Sequence, residues 1–242
     1  MDRINHIKKL FDFIKTTPFH PQWFAFKDQK ANLFNIVHLL EGKILDIGCG
    51  QKLIEQYMPS GCRYIALDYF KTSVEWYGSN PDVYGDAQSL PFADESTDGV
   101  LLLDVMEHLP QPDNCLGEIE RVLVKGGVLI IAVPFLYPIH DAPLDFRRWT
   151  LYGLREIIKK HGFIIKNEKH HGNLLESSGL LMNIAMSKTV LNWIHQKNPL
   201  ALLIVFLPFV VLLINSLSFL LTYFSPEDKM MPSGYQLVIE KL

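Results

Sequence analysis

An open, doubly wound, mainly parallel α/β sheet carrying a late apolar helical insertion is the fold this sequence predicts. Three observations predict it. Short apolar runs recur along the chain, separated by segments of helical period, as in strands buried on both faces. The first run, KILDIGCGQ at residues 43–51, passes straight into a Gly-x-Gly turn, the opening unit of many nucleotide-binding sheets. A long uncharged apolar block is then followed by one more strand-like segment, GYQLVIEKL at residues 234–242.

The elements follow in order. Residues 2–15 place Ile4, Ile7, Phe11 and Ile14 near one face of an amphipathic helix. Charges run throughout that segment, which is unlike a signal peptide. TTPFHPQW breaks it, and a second helix spans 27–40, completing an N-terminal helical region over 1–40. A cofactor-binding core over 43–170 comes next. Its first strand ends at Asp46-Ile47-Gly48, and LIEQYM begins a helix. RYIALD (63–68) is a second strand and KTSVEWYGSN a short helix. VYGDA brings a third strand up to Asp86, and DGVLLLD (98–104) is a fourth. Leu116, Ile119, Val122 and Leu123 set a helix over 114–124, with Lys125-Gly126-Gly127 as its C-cap. GVLIIAVP is a fifth strand, 150–160 a helix capped by Thr150, and GFIIKNEKH a sixth strand. An apolar helical insertion fills 174–232, and 234–242 forms the final strand of a single domain over 1–242.

The bulk properties narrow the function. A chain of 242 residues suits one large α/β domain. A net charge of −3 and a pI near 6.3 give no electrostatic case for nucleic acid as a partner. Cys49, Cys62 and Cys115 are scattered, with no CxxC and no His spacing suited to zinc. The reading is therefore of a reduced, cytosol-facing protein with no metal. Mean hydropathy is +0.11, high for a soluble enzyme, and the excess comes from the late block.

Polar residues fall at the carboxyl ends of successive strands, where open α/β sheets bind ligands. Gly48 and Gly50 lack a Cβ and let the backbone pass close to a ligand. Asp68, at the end of the second strand, suits the two hydroxyls of a ribose, or else is a helix cap or a solvated loop residue. Asp86 can accept from an exocyclic adenine amine or serve as a turn residue. Asp104 and Glu107 can reach a cationic group or cap the following segment. A dinucleotide dehydrogenase would want a third glycine at position 53, where this chain has Leu53.

LDIGCG, the acidic second strand, D-A-x-x-L-P-F-x-D-x-S-x-D from Asp86, EHL at 107–109 and E-I-x-R-V-L-x-x-G-G from Glu118 together resemble the class I S-adenosylmethionine-dependent methyltransferases, and within them the type 11 group. The likeness runs over about residues 40–170. It implies a Rossmann-like sheet of seven strands with the last antiparallel, S-adenosyl-L-methionine as cofactor, and methyl transfer as the activity. By that resemblance Gly48 and Gly50 line the amino-acid portion of the cofactor and Asp46 supports the turn. Asp68 takes the ribose, Asp86 with the Ala87 backbone contacts the adenine, and Asp104 passes beside the bound cofactor.

For the acceptor, the loop PFLYPIHDAPLDFRRWT at 134–150 follows the fifth strand's carboxyl end. Its H-x4-D-F-x-R-W-T pattern is similar to methyltransferases acting on glycans or lipid-linked compounds. His140 is the candidate general base, since imidazole titrates near neutrality. Asp145 orients it, Arg147 or Arg148 holds an anionic group, and Tyr137 and Trp149 complete the acceptor side. The alternative is that Asp145, Arg147 and Trp149 form a structural clasp ahead of the next helix. His108 is a second base, or merely closes the pocket.

Between Lys197 and Glu227 there is no charged residue. The 18 Leu, Ile, Val and Phe residues there favour insertion by roughly 0.4 kcal/mol each, about 7 in sum before polar residues return part of it. A final strand in the same sheet requires both ends of the block on one side of a bilayer. The sequence therefore predicts a monotopic anchor through 198–226 on the cytoplasmic face, as a hairpin broken near Pro208 or Asn215-Ser216, or as interfacial helices. A buried core hairpin or an oligomer interface is the competing reading. The acceptor class that follows is a small molecule or a lipid-linked compound. Two rivals stand beside the enzyme: a catalytically silent methyltransferase-like binding module or membrane scaffold, and a nicotinamide dehydrogenase.

Overall fold

The computed structural model describes residues 14–226 and 228–242; the helix expected over 2–15 falls almost wholly outside them. Helix α2 (Gln29–Val37) stands where the sequence predicts a helix over 27–40, and a short helix α1 (Trp23–Phe26) precedes that range. Seven strands follow: β1 (Lys43–Ile47), β2 (Arg63–Asp68), β3 (Val83–Tyr84), β4 (Thr97–Leu103), β5 (Leu123–Pro134), β6 (Phe163–His171) and β7 (Gly234–Lys241). They form one sheet in the order β3-β2-β1-β4-β5-β7-β6. The β1–β2, β1–β4, β2–β3 and β4–β5 pairs are parallel. β7 runs antiparallel along β5, from Val128 opposite Glu240 to Pro134 opposite Gly234. This is the predicted doubly wound sheet with its last strand reversed. Strand order turns back on itself at β1 and β4, so their carboxyl ends open a crevice.

Alternation along each strand sends side chains to two apolar layers. Leu45, Ile47, Val100, Leu102, Leu129 and Ile131 face the layer that holds α3 (Pro112–Val122) and α4 (Leu151–Lys160). Ile44, Leu101 and Ile130 face the other, against Ile36, Val37 and Leu40. Each such fully buried side chain contributes roughly 1.5–3 kcal/mol, which commits the strands to their register. Thr150 caps α4, its Oγ1 accepting from the Gly153 N–H at 3.1 Å.

Three local expectations need correction. The segment after the glycine turn makes only a 3-10 turn, Glu55–Tyr57, because Met58 must turn extended (φ −60, ψ 137) ahead of Pro59. The helix after β2 is a single π-helical turn, Thr72–Tyr77, ended by Gly78 in the left-handed region. Lys125-Gly126-Gly127 is not a C-cap: α3 stops when Leu123 goes extended, and the glycines form a bulge inside β5.

The insertion is α5 (Leu174–His195), a 3-10 segment Pro199–Phe206, and α6 (Leu207–Phe224). The hairpin turns at Lys197 (φ +53) and not at Pro208 or Asn215-Ser216. Pro208 lies in the first turn of α6, where a missing N–H costs nothing. Asn215 is fully buried and tied down, accepting from Asn183 Nδ2 at 2.8 Å and donating to the carbonyls of Pro18 (2.7 Å) and His20 (3.1 Å). Pro199–Phe224 holds an 18-residue window of mean hydropathy 2.8 that is largely exposed; by length and composition alone the stretch is enough to cross a membrane.

The chain divides into two compact units. Among the described residues, those up to Lys30, with Leu136–Pro138 and His171–Ser233, make one; Ala31–Phe135, Ile139–His170 and Gly234–Leu242 make the other. In the first, Lys27 pairs with Glu176 at 2.5 Å, and Gly179 lets α5 approach α6, where a Cβ would lie 2.5 Å from Ser218 Oγ.

Candidate functional site

The sheet-bearing unit holds a cavity of about 360 Å³ at the carboxyl ends of β1, β2 and β4. Its floor is the glycine turn. Gly48 sits at φ +72, and a Cβ there would lie 2.4 Å from Val105 Cγ2, so only glycine fits. The N–H groups of Gly48 and Cys49 both donate to Leu67 O, at 2.8 and 3.1 Å, which ties the turn to β2. Gly50, at φ +50, has open space where a Cβ would project.

Asp68 is the hinge between turn and cavity. Its Oδ2 accepts from the Gly50 N–H at 2.9 Å, and Oδ1 from the Tyr69 N–H at 2.7 Å and Thr72 Oγ1 at 3.1 Å. It lines the cavity together with Asp86, Ala87 and Asp104. Asp86 also accepts from the Gln88 N–H at 2.8 Å, the turn role weighed for it. Asp104 adopts a left-handed backbone (φ +54) and opens into the cavity. The protein mass around that wall raises its carboxyl pKa, with His140 and His108 opposing the rise. Asp46 faces away: it is buried, accepts from Tyr64 Oη at 2.5 Å, and is pushed up to about 7, chiefly by burial.

Sequence reasoning missed part of the wall. Tyr69, just after β2, and Thr72, Trp76 and Tyr77 of the π-helical turn line the cavity. Asp141 lies opposite and accepts from Tyr77 Oη at 2.7 Å. The signal was the run of aromatics shortly after Asp68, which a reading of the segment as an ordinary helix does not aim at a ligand.

The acceptor-side residues separate. His108 lines the cavity, its Nδ1 lying 2.9 Å from Leu144 O. His140 packs edge-on against it, with ring centroids 4.9 Å apart. Asp145 receives the His140 N–H at 2.9 Å and is gripped by Arg148 through both oxygens, at 2.5 and 2.7 Å. That pair holds the Asp145 carboxyl near 2, well below its ordinary value. Arg148 is thus engaged within the loop, and the clasp considered from sequence forms through Arg148 instead of Arg147. Arg147 and Trp149 stack and line a separate open groove of about 680 Å³ with Lys160 and Glu156. Tyr137 belongs to the other compact unit, where its hydroxyl accepts from Gln22 Nε2 at 2.7 Å.

Between the two histidines lies Glu107. It is fully buried, neither carboxyl oxygen has a hydrogen-bond partner, and burial raises it to about 8. Its Oε1 stands 3.7 Å from His108 Nε2 and 3.8 Å from His140 Nε2. The sequence shows no metal-ligand spacing here because His140 reaches the pair from a distant loop.

Four aspartates, Asp68, Asp86, Asp104 and Asp141, line the cavity, and no lysine or arginine does so among the described residues. Such a wall attracts a cationic ligand and repels a pyrophosphate. A glycine turn, a strand-end carboxylate and an anionic wall define an adenosyl-cofactor domain of the doubly wound class. Residues 45–131 match the family described as a methyltransferase domain. Over those residues the chain carries a class I S-adenosylmethionine-dependent methyltransferase domain, and S-adenosyl-L-methionine is the cofactor of that class.

Relatives agree with this placement. The chain is 28% identical over 158 residues to a sterol 24-C-methyltransferase of Schizosaccharomyces pombe, covering 57% of this chain and 41% of that one. It is 34% identical over 96 residues to a demethylmenaquinone methyltransferase of Renibacterium salmoninarum, covering 37% and 40%. The chain spans about half the length of the curated relatives it matches. Among solved structures, the (4+2)-cyclase SpnF has the same fold, with a TM-score of 0.55 at 16% identity over 91% of this chain and 82% of that one.

Proposed function

We propose that this protein transfers a methyl group from S-adenosylmethionine to a small or lipid-linked acceptor at the cytoplasmic face of a membrane. The observation that carries the cofactor half is the anionic cavity over a glycine turn. In this reading Gly48 and Gly50 hold the amino-acid portion and Asp46 stiffens β1 beneath the turn. Asp68 takes the ribose hydroxyls, Asp86 and the Ala87 backbone the adenine edge, and Asp104 the cationic end. The bound cofactor supplies an electrophilic methyl on a sulfonium, so the protein need only align a nucleophile and accept its proton. His108 and His140 are the groups placed to handle that proton, with Asp145 positioning His140. Arg147 and Trp149, in the neighbouring groove, suit an anionic or planar part of the acceptor. Arg148 serves as a positioning group through Asp145.

The membrane half rests on the apolar stretch Pro199–Phe224 and its connectivity. The insertion leaves β6 and returns to β7, adjacent strands, so a hairpin keeps both ends on one face. Within 1–242 this gives a 43–170 cofactor core, a 174–232 anchor that engages the bilayer through 198–226, and a 234–242 strand closing the sheet. A lipid acceptor is in keeping with relatives whose names specify a sterol or a demethylmenaquinone. A second reading is a catalytically silent methyltransferase-like binding module or membrane scaffold, since one fold can carry unrelated functions.

Supplying methyl-labelled cofactor and purified protein to native membranes, followed by mass analysis of lipid and soluble fractions, separates the two. A labelled lipid product supports the enzyme; tight cofactor binding with no labelled product in any fraction supports the module.

A further inference from the structure

The geometry points to a divalent metal site formed by Glu107, His108 and His140. The donor atoms of these three residues all lie within 4.8 Å of one another. Bonds of about 2.0–2.2 Å in a tetrahedral site place donors about 3.3–3.5 Å apart, so the 3.7 and 3.8 Å separations from Glu107 Oε1 to the two Nε2 atoms close by a few tenths of an ångström. The third separation, between the two histidine ligand atoms, is within 4.8 Å and closes by at most about 1.5 Å.

Three further features distinguish this cluster from a chance grouping. Glu107 is fully buried with both carboxyl oxygens lacking a hydrogen-bond partner, an arrangement that costs free energy unless something completes it. Each histidine presents Nε2 toward that carboxyl. And His108 has its Nδ1 2.9 Å from an acceptor outside the cluster, Leu144 O, while His140 Nδ1 lies 3.4 Å from both Asp145 Oδ2 and Arg148 Nη2. Metal-ligating histidines are held as His108 is, the outer acceptor fixing the tautomer that leaves Nε2 to bind the ion. Arg148 in turn fixes Asp145 through both oxygens.

Two imidazoles and one carboxylate select a first-row transition ion such as Zn²⁺ over Mg²⁺ or Ca²⁺, which prefer oxygen donors. Three protein ligands leave a coordination position open, the arrangement of catalytic and not structural sites. Because His108 is itself a cavity wall, the ion would lie beside the cofactor cavity, where a Lewis acid lowers the pKa of an acceptor hydroxyl. In the metal-loaded protein the imidazoles are ligands, and an acceptor hydroxyl bound to the ion would give its proton to solvent water.

The test uses the full chain stripped with chelator and titrated with Zn²⁺ and Co²⁺ in the absence of S-adenosylmethionine, so that it is independent of the methyl-transfer reading. The expected result is one ion per chain, with a visible Co²⁺ absorption. His108→Ala and Glu107→Gln lower affinity by more than about a hundredfold, Asp145→Asn by about 10–100-fold, and the exposed His195→Ala not at all. Circular dichroism of each variant keeps loss of fold separate from loss of the ion; should Glu107→Gln unfold, His108→Ala and Asp145→Asn decide. Substoichiometric binding, or binding that survives both His108→Ala and Asp145→Asn, overturns the site.

Discussion

At Asp68 one carboxylate both braces the glycine turn and faces the cavity, and the account predicts that its charge matters more than its shape. Asp68→Asn keeps the volume but weakens charge-assisted hydrogen bonds of roughly 1.5–3 kcal/mol, so the dissociation constant for S-adenosylmethionine should rise about 10–100-fold by calorimetry. An unchanged constant would remove Asp68 from the site. Asp46 yields a pH prediction. Its folded value near 7 lies above its ordinary 3.8, so between about pH 4 and pH 7 the folded protein binds the extra proton. Stability from this residue therefore falls as pH rises through that window, by on the order of 4 kcal/mol, and is flat above it. Asp46→Asn should flatten the melting-temperature profile from pH 4 to 7; a profile as steep as the parent's would place the effect elsewhere. Asp68, Asp86 and Asp104 were legible because strand ends can be counted in a sequence. Glu107 beside His140 was not, since a loop that doubles back leaves no periodic trace.

Among elements, the parallel strands were readable from their unbroken apolar runs, and the reversed β7 only through the family pattern. What failed were short segments ruled by single residues: Pro59 shortens the helix after the glycine turn, and Gly126-Gly127 bulge a strand instead of ending a helix. The Thr150 cap was correctly placed, and Thr150→Ala should cost about 1 kcal/mol in chemical denaturation. The break point of the apolar hairpin was misplaced because Asn215 looks like an interruption and is a buried tie. Asn215→Ala orphans the Asn183 amide and the carbonyls of Pro18 and His20, at about 1–3 kcal/mol for each group left unsatisfied. Proteolysis within 171–233 should accelerate in that variant, and an unchanged digestion pattern would contradict the tie.

For the whole molecule, the claim is that an adenosyl-binding sheet and an apolar hairpin bring one reaction to a membrane surface. Phe209, Leu213 and Leu220 are exposed on α6, and replacing all three with serine should shift the protein from carbonate-washed membranes to the soluble fraction. Protease should reach a C-terminal tag from the cytoplasmic side; protection of that tag would refute the hairpin. The measurement closest to the central claim is calorimetric titration of the purified chain with S-adenosylmethionine and, separately, with NAD. The account predicts saturable binding of the sulfonium cofactor at one site, in the micromolar range, and none of the dinucleotide. Binding of NAD, or no binding of S-adenosylmethionine to a folded chain, would contradict it.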